Sequence, residues 1–490
     1  MIDFRPILLI LGTLISVLGF ILFLPAAIDF ANNQQNWRDF TNCALISLFM
    51  GISLVLANKS VLNKASEIQT LKMNISQAFI LTTLTWLFIA IFGSLPFVLT
   101  DLNLSFTDAF FESMSGVTTT GSTIIADLNN VSKGLLFWRS TLQWIGGIGI
   151  IVIAISVLPL LQVGGMQLFR MESSDTSEKV LPRTAQIAGG ISAIYFLLTL
   201  VCAISLWVSG MTAFDAICHS MTTIATGGFS TVNGSIGHFD NPSIDCTIMI
   251  FMLLSSLPFV LYLQALQGNN FGIIRDTQVK TFLIFVLISV FALTIWNLLH
   301  TQKDFLDALR LSSFNAISII TGTGYTTTDF DNWGSFPLIL FLFLMITGGC
   351  AGSTTCGVKI FRLQILYVTA LKQIKQLMHP RGIFIAYYNR KQIPPNVAES
   401  VMGFFFIFII SLLTLTLCLS YIGLDFLTSI SAAATAIANV GPGLGNIIGP
   451  EGNFSGLPEI AKWLLSFGML IGRLEFYTVL VLFLPSFWKD

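Results

Sequence analysis

Apolar runs about as long as a bilayer is thick recur from one end of this chain to the other, and no soluble core has room for so many. They fall near residues 7–28, 41–57, 77–100, 136–161, 187–209, 245–266, 280–299, 336–368, 400–421 and 460–486, the eighth interrupted by glycines. Only 10% of the 490 residues are charged, against roughly 25% in a soluble domain, so lipid is the solvent that suits this surface. The expected fold class is an all-α polytopic membrane protein with ten membrane spans. Arg5 and Pro25-Ala26-Ala27 flank the first run as they would in a cleavable signal, but its apolar core is too long for one, and a retained helix is expected. The formal charge of −1 gives no polarity toward nucleic acid, and the seven cysteines follow neither disulfide nor metal spacing.

An even number of spans places both termini on one side. Of the Lys and Arg residues, 17 fall on that side and 6 on the other, with Arg473 inside a span, so the termini are expected to be cytoplasmic. The acids run the other way, giving a net −10 outside and +9 inside. An insertion signal accounts for the inner excess. The outer deficit is better explained as a vestibule that concentrates cations.

From the third run onward one unit recurs four times: a long apolar helix, an Asp, a short stretch, a Gly/Thr-rich turn and a second long helix. These repeats occupy 71–165, 184–268, 277–370 and 398–490, after two N-terminal helices in 1–70. The turns are Thr118-Thr119-Thr120-Gly121-Ser122-Thr123, Ala225-Thr226-Gly227-Gly228-Phe229-Ser230, Thr321-Gly322-Thr323-Gly324-Tyr325-Thr326 and Ala438-Asn439-Val440-Gly441-Pro442-Gly443. The shared glycine follows Asp108, Asp215, Asp307 and Asp425 by 13, 13, 17 and 16 residues, too few to span a bilayer.

Irregular backbone at membrane depth is tolerated only where protein buries it or a wet cavity receives it. A glycine at the same place in each turn permits φ > 0, so that successive carbonyls can face one way. Four such turns around an axis would offer Thr119, Thr120 and Gly121, Thr226, Gly227 and Gly228, Gly322, Thr323 and Gly324, and Asn439, Val440 and Gly441 to a dehydrated monovalent cation. One such turn alone is as well explained by close helix packing. All four in register point to a cation selectivity filter. The four Asp residues sit where N-caps are favoured and are read as caps in preference to ion ligands.

Two features lie below that filter. The eighth run breaks at 347–357, where Gly348, Gly349, Gly352 and Gly357 fall within ten positions, at about 1 kcal/mol each relative to Ala in a helix. A phosphate loop is excluded because Val358 stands between Gly357 and Lys359. Either the segment packs helices closely or it is an intramembrane gate loop, the reading preferred here. Arg473, inside the tenth run, is costly at that depth unless paired or wet. Glu475, two residues on, projects from another helix face. Arg473 either pairs elsewhere for structure or, as preferred here, donates to the 348–357 carbonyls and closes the path.

The turns, together with Trp138-Arg139-Ser140-Thr141-Leu142-Gln143-Trp144-Ile145-Gly146-Gly147-Ile148-Gly149, Gly165-Met166-Gln167-Leu168-Phe169-Arg170 and Gly472-Arg473-Leu474-Glu475, closely resemble the Trk/Ktr/HKT potassium-transport superfamily, with two extra N-terminal helices as in its bacterial TrkH branch. The resemblance covers essentially the whole chain. It implies potassium uptake at a bacterial inner membrane, a pore in each subunit, K+ bound only at the filter residues, homodimers, and a cytoplasmic nucleotide-binding RCK-type regulatory subunit of the TrkA kind. No cofactor is expected in this chain; nucleotide is expected only on that partner. The basic inner loops 162–183 and 369–397 are its natural docking surface, although orientation signals explain them equally well. Tetrameric potassium channels carry a longer Thr-Val-Gly-Tyr-Gly run. Here only the glycine is common to all turns, and Thr323-Gly324-Tyr325 alone keeps more, so strict exclusion of sodium is not assured.

A membrane enzyme would need clustered histidines or a nucleophile motif, but the four His stand apart. An alternating-access transporter would favour inverted repeats, whereas these run parallel. A sodium- or proton-coupled symporter with the same pore remains the alternative.

Overall fold

In lipid a backbone amide has no water to turn to, so apolar runs close their hydrogen bonds internally, as helices. The computed structural model describes residues 2–59, 74–156, 180–268, 272–389 and 391–488. An N-terminal unit comes first, with α1 (Arg5–Ile21), α2 (Phe23–Ala31) and α3 (Trp37–Ala57). Gly12 of α1 and Gly51 of α3 bring two backbones together: a Cβ on either would lie 2.8 or 2.7 Å from the other's carbonyl oxygen. Then follow α4 (Ile75–Leu99), α5 (Phe106–Val117), α6 (Lys133–Ser156), α7 (Val180–Val208), α8 (Ala213–Ile224), α9 (Pro242–Ser255) and α10 (Phe259–Leu266). The second half holds α11 (Thr277–His300), α12 (Phe305–Ile320), α13 (Ser335–Thr347), α14 (Ile360–Met378), α15 (Pro395–Tyr421), α16 (Phe426–Ala438), α17 (Glu459–Arg473) and α18 (Tyr477–Leu480). Tyr387–Tyr388 pairs antiparallel with Lys391–Gln392 beyond α14. Hydroxyls within the helices bond back to carbonyls four residues earlier, as Thr82 does to Ala78 and Ser289 to Phe285, which leaves little polar surface for lipid to meet.

Among the described residues six helices are individually long and apolar enough to cross a bilayer, and up to eight spans result when two bent pairs each count as one. The ten runs are therefore not ten straight helices. The run at 245–266 turns by 87° between α9 and α10, where Pro258 lacks a donor and is itself extended. The run at 460–486 turns by 110° after α17, at left-handed Glu475 and Phe476 (φ 59° and 26°). Arg473, expected well inside an unbroken span, is the last residue of α17. One buried apolar cluster extends from Ile15 to Val479 and ties the N-terminal unit to the rest.

Candidate functional site

Four helices, α5, α8, α12 and α16, have only 12, 12, 16 and 13 residues, too few to cross a bilayer. Ser105 accepts from the amide of Asp108, Thr212 from that of Asp215, and Asp425 from that of Thr428, while Asp304 precedes α12. The expected caps are corrected accordingly. Only Asp425 is an N-cap; Asp108, Asp215 and Asp307 stand at the third helical position. The reason is a hydroxyl-x-x-acid pattern, Ser105 to Asp108 and Thr212 to Asp215, in which the hydroxyl caps and the acid meets the helix dipole. Asp108 is further engaged by Lys462 at 2.6 Å.

At its carbonyl end each short helix releases the chain in the same way. The amides of Thr120, Gly227, Thr323 and Val440 donate five residues back, to Ser115, Thr222, Ser318 and Thr435, at 2.9, 2.9, 2.9 and 3.1 Å. The residue before each is left-handed: Thr119 (φ 53°), Thr226 (51°), Gly322 (71°) and Asn439 (52°). So is the glycine after it: Gly121 (88°), Gly228 (74°), Gly324 (79°) and Gly441 (111°). Left-handed backbone costs about 1 kcal/mol or more at a residue other than glycine, so the surroundings must enforce it at Thr119, Thr226 and Asn439.

Space as well as φ demands the four glycines. A Cβ on Gly121 would overlap the carbonyl oxygen of Gly227, one on Gly228 that of Thr323, one on Gly324 that of Val440, and one on Gly441 would lie 2.8 Å from that of Thr120. These contacts run from the first turn to the second, third and fourth, and back to the first. The turns close a ring in chain order. Among the described residues no N–H or hydroxyl donates to the buried carbonyls of Thr119, Thr226, Gly322 and Asn439, nor to those of Thr323 and Val440.

Side chains brace this ring from behind. Gln143 of α6 donates to the carbonyl of Gly227 at 2.6 Å and accepts from the amide of Phe229 at 3.1 Å. Arg139, also on α6, pairs with Glu112 of α5 at 2.8 Å with both side chains buried, and donates to Ser230 O at 3.0 Å. Glu112 accepts in turn from the amide of Ile124, just past the first turn. Ser122 donates to Gly441 O at 2.7 Å and Asn439 to Thr120 Oγ1 at 2.9 Å, joining the first and fourth turns. Tyr325 meets the Thr222 hydroxyl, joining the third turn to α8.

The segment between α13 and α14 lies against the third turn, for a Cβ on Gly322 would lie 4.0 Å from the amide nitrogen of Cys356. Gly348, Gly352 and Gly357 are left-handed (φ 70°, 77° and 79°); Gly349 is not, but a Cβ there would lie 2.7 Å from Thr355 Oγ1. The segment is tied to the α9–α10 bend by Cys350 N–H to Ser256 O (3.2 Å) and Phe259 N–H to Gly352 O (2.9 Å). Buried Arg473 donates to Thr354 O at 3.3 Å, to Gly146 O at 3.2 Å and to the Cys356 sulfur. Glu475 instead binds Arg362 and lies 3.5 Å from Lys359. A cavity of about 10 Å³, room for about one water, opens among Cys356, Arg473 and Glu475.

Arg139, Lys359 and Arg362, three of the basic residues that enter the count of charges on the two sides, are buried in ion pairs. An acid such as Glu112 in the middle of a short buried helix was the available signal for the first pair. Gly165 to Arg170 lies outside the described residues, as does most of the loop 162–183. Of 369–397, the last turns of α14 carry Lys372 and Lys375.

Long apolar helices, with four short buried ones that stop in turns among them, define a helical membrane protein. The chain belongs to the TrkH family of cation transport proteins, whose pattern it matches over residues 46–489. It is 43% identical to the Trk system potassium uptake protein TrkI of Halomonas elongata over 99% of this chain and 97% of that one. It is 36% identical to TrkH of Escherichia coli K12, over 99% and 100%. The crystal structure of the potassium transporter TrkH from Vibrio parahaemolyticus superposes with a TM-score of 0.89 at 35% identity, covering 99% of this chain and 100% of that one.

Proposed function

We propose that this chain takes up potassium across the cytoplasmic membrane of a bacterium, through a pore formed by a single polypeptide and filtered by backbone carbonyls. The observation that carries the reading is the ring itself, in which the buried carbonyls of Thr119, Thr226, Gly322, Asn439, Thr323 and Val440 have no donor among the described residues, those of Thr323 and Val440 lying against glycines of the neighbouring turn. An unsatisfied buried carbonyl is costly. A permeating cation that has shed its water supplies what those oxygens lack. Potassium is the cargo rather than a resident cofactor, and its sites are the three residues of each turn from Thr119, Thr226, Gly322 and Asn439 onward. The segment at Gly348, Gly349, Gly352 and Gly357, held by Arg473, is the gate.

The wider architecture follows from that reading. Ten spans comprise two N-terminal helices in 1–70 and four parallel repeats at 71–165, 184–268, 277–370 and 398–490, with both termini cytoplasmic by the excess of basic residues on their side. The chain works as a homodimer, and a cytoplasmic RCK-type subunit that binds the nucleotide docks on the basic inner loops. The test is a reversal potential under bi-ionic potassium and sodium in reconstituted bilayers. Wild type is expected to favour potassium and Gly121→Ser to lower the potassium/sodium permeability ratio several-fold. An unchanged ratio in Gly121→Ser removes the first turn from the filter.

A further inference from the structure

We infer that the N-terminal unit holds the first two turns in register through one buried carboxylate, Asp29 of α2, a positioning residue for the filter. The inference builds on the filter reading and gives a role to helices that reading leaves without one.

Asp29 has no exposed surface. Its Oδ1 accepts the amide of Gly134 at 2.6 Å and its Oδ2 the hydroxyl of Ser132 at 2.9 Å, while the Ser132 oxygen accepts the amide of Leu135 at 3.3 Å. Lys133 adds a bond to Asn32, also at the end of α2, at 3.2 Å. A carboxylate from one helix thus caps the positive end of another, α6, through bonds stronger than neutral ones. Gly134 permits the approach, since a Cβ there would run into the carboxyl group.

The same α6 reaches the ring. Gln143, about 13 Å further along the helix axis at 1.5 Å per residue, holds both sides of the second turn. Arg139 holds the first through Glu112, and Gly146 sits so close to Val117 that no Cβ would fit. A helix is stiff along its axis, so the anchor at Asp29 fixes the height at which Arg139, Gln143 and Gly146 meet the turns. Their ring contacts go to the first and second turns, whereas the Ser318 hydroxyl holds Tyr325 O in the third, and in the fourth Asn439 donates to Met469 O and the Gly441 amide to Thr435 Oγ1. Loss of Asp29 should therefore loosen half of the ring.

The experiment compares Asp29→Ala, Asp29→Asn and Gly121→Ser in the full chain, in liposomes, by permeability ratio and by amide hydrogen exchange. Asp29→Ala is expected to lower the potassium/sodium ratio several-fold and to speed exchange at residues 118–121 and 226–229, but not at 321–324 or 438–441. Asp29→Asn keeps an acceptor for Gly134 and should fall between Ala and wild type. A merely structural carboxylate would change how much protein folds, not the ratio shown by the folded molecules. Exchange quickened only at 132–135, or uniformly over the chain, would overturn the inference. If Gly121→Ser leaves the ratio unaltered, the first turn is not part of the filter, and the exchange pattern of Asp29→Ala still decides whether the brace exists.

Discussion

Arg473 is the residue whose surroundings set its chemistry most sharply. Two carbonyls and a sulfur receive its donors, while the carboxylate two positions away is taken by Arg362 and Lys359. Its charge thus lies in the proposed gate with no acid paired to it among the described residues. At an effective dielectric of about 20, a unit charge about 8 Å from a passing cation raises that cation's energy by about 2 kcal/mol. Arg473→Ala is accordingly expected to raise partner-free potassium flux by roughly tens-fold, with Arg473→Lys between, since Lys keeps the charge but not the planar fork. Rubidium uptake in proteoliposomes measures this, and equal or lower flux in a folded variant would assign Arg473 to structure alone. A lone charge in an apolar run made Arg473 readable from sequence. The pairing of Glu475 with Arg362 was not readable, because it joins residues 113 apart along the chain and nothing local marks it.

At the scale of an element, the 348–357 segment is specified by backbone rather than by side chains. Gly348 combines φ 70° with ψ 179°, a region that suits glycine alone, and a Cβ there would strike the Cys356 carbonyl. Gly352 is left-handed too, but a Cβ there meets only Pro258, at 3.9 Å. If the segment is the gate, Gly348→Ala is expected to disorder it and increase partner-free flux, whereas Gly352→Ala carries only strain, about 1 kcal/mol, and leaves flux within about twofold of wild type. The same flux assay checks the ranking, and a reversed order would contradict it. Glycine spacing exposed this loop and the four turns in the sequence. The bend at Pro258 carried an equally plain signal that a hydropathy window averages away, and the caps at Ser105 and Thr212 were hidden by the more conspicuous acids that follow them.

For the whole molecule, the apolar runs dictated a membrane fold, and the surplus of Lys and Arg on one side suggested its orientation. Which turn abuts which could not be read, because three of the contacts span about a hundred residues and the closing one about three hundred, and all depend on Cβ atoms that are missing. The partner-facing surface is a matter for this scale as well. If the RCK-type subunit docks on 369–397, deleting the 380–393 hairpin, beyond the last turn of α14, should abolish its co-purification while the chain still inserts. Retained pull-down would move the docking surface elsewhere.

The ring of glycine-to-carbonyl approaches has one more implication. A homotetrameric channel repeats any substitution four times, so its aperture passes all at once from intact to broken. On the proposed reading a single polypeptide supplies every quadrant, and one edit distorts one arc and leans on its two neighbours. Graded, lopsided changes of ionic preference are within reach of single mutations, and a lineage can retune its appetite for alkali metals in quarter steps.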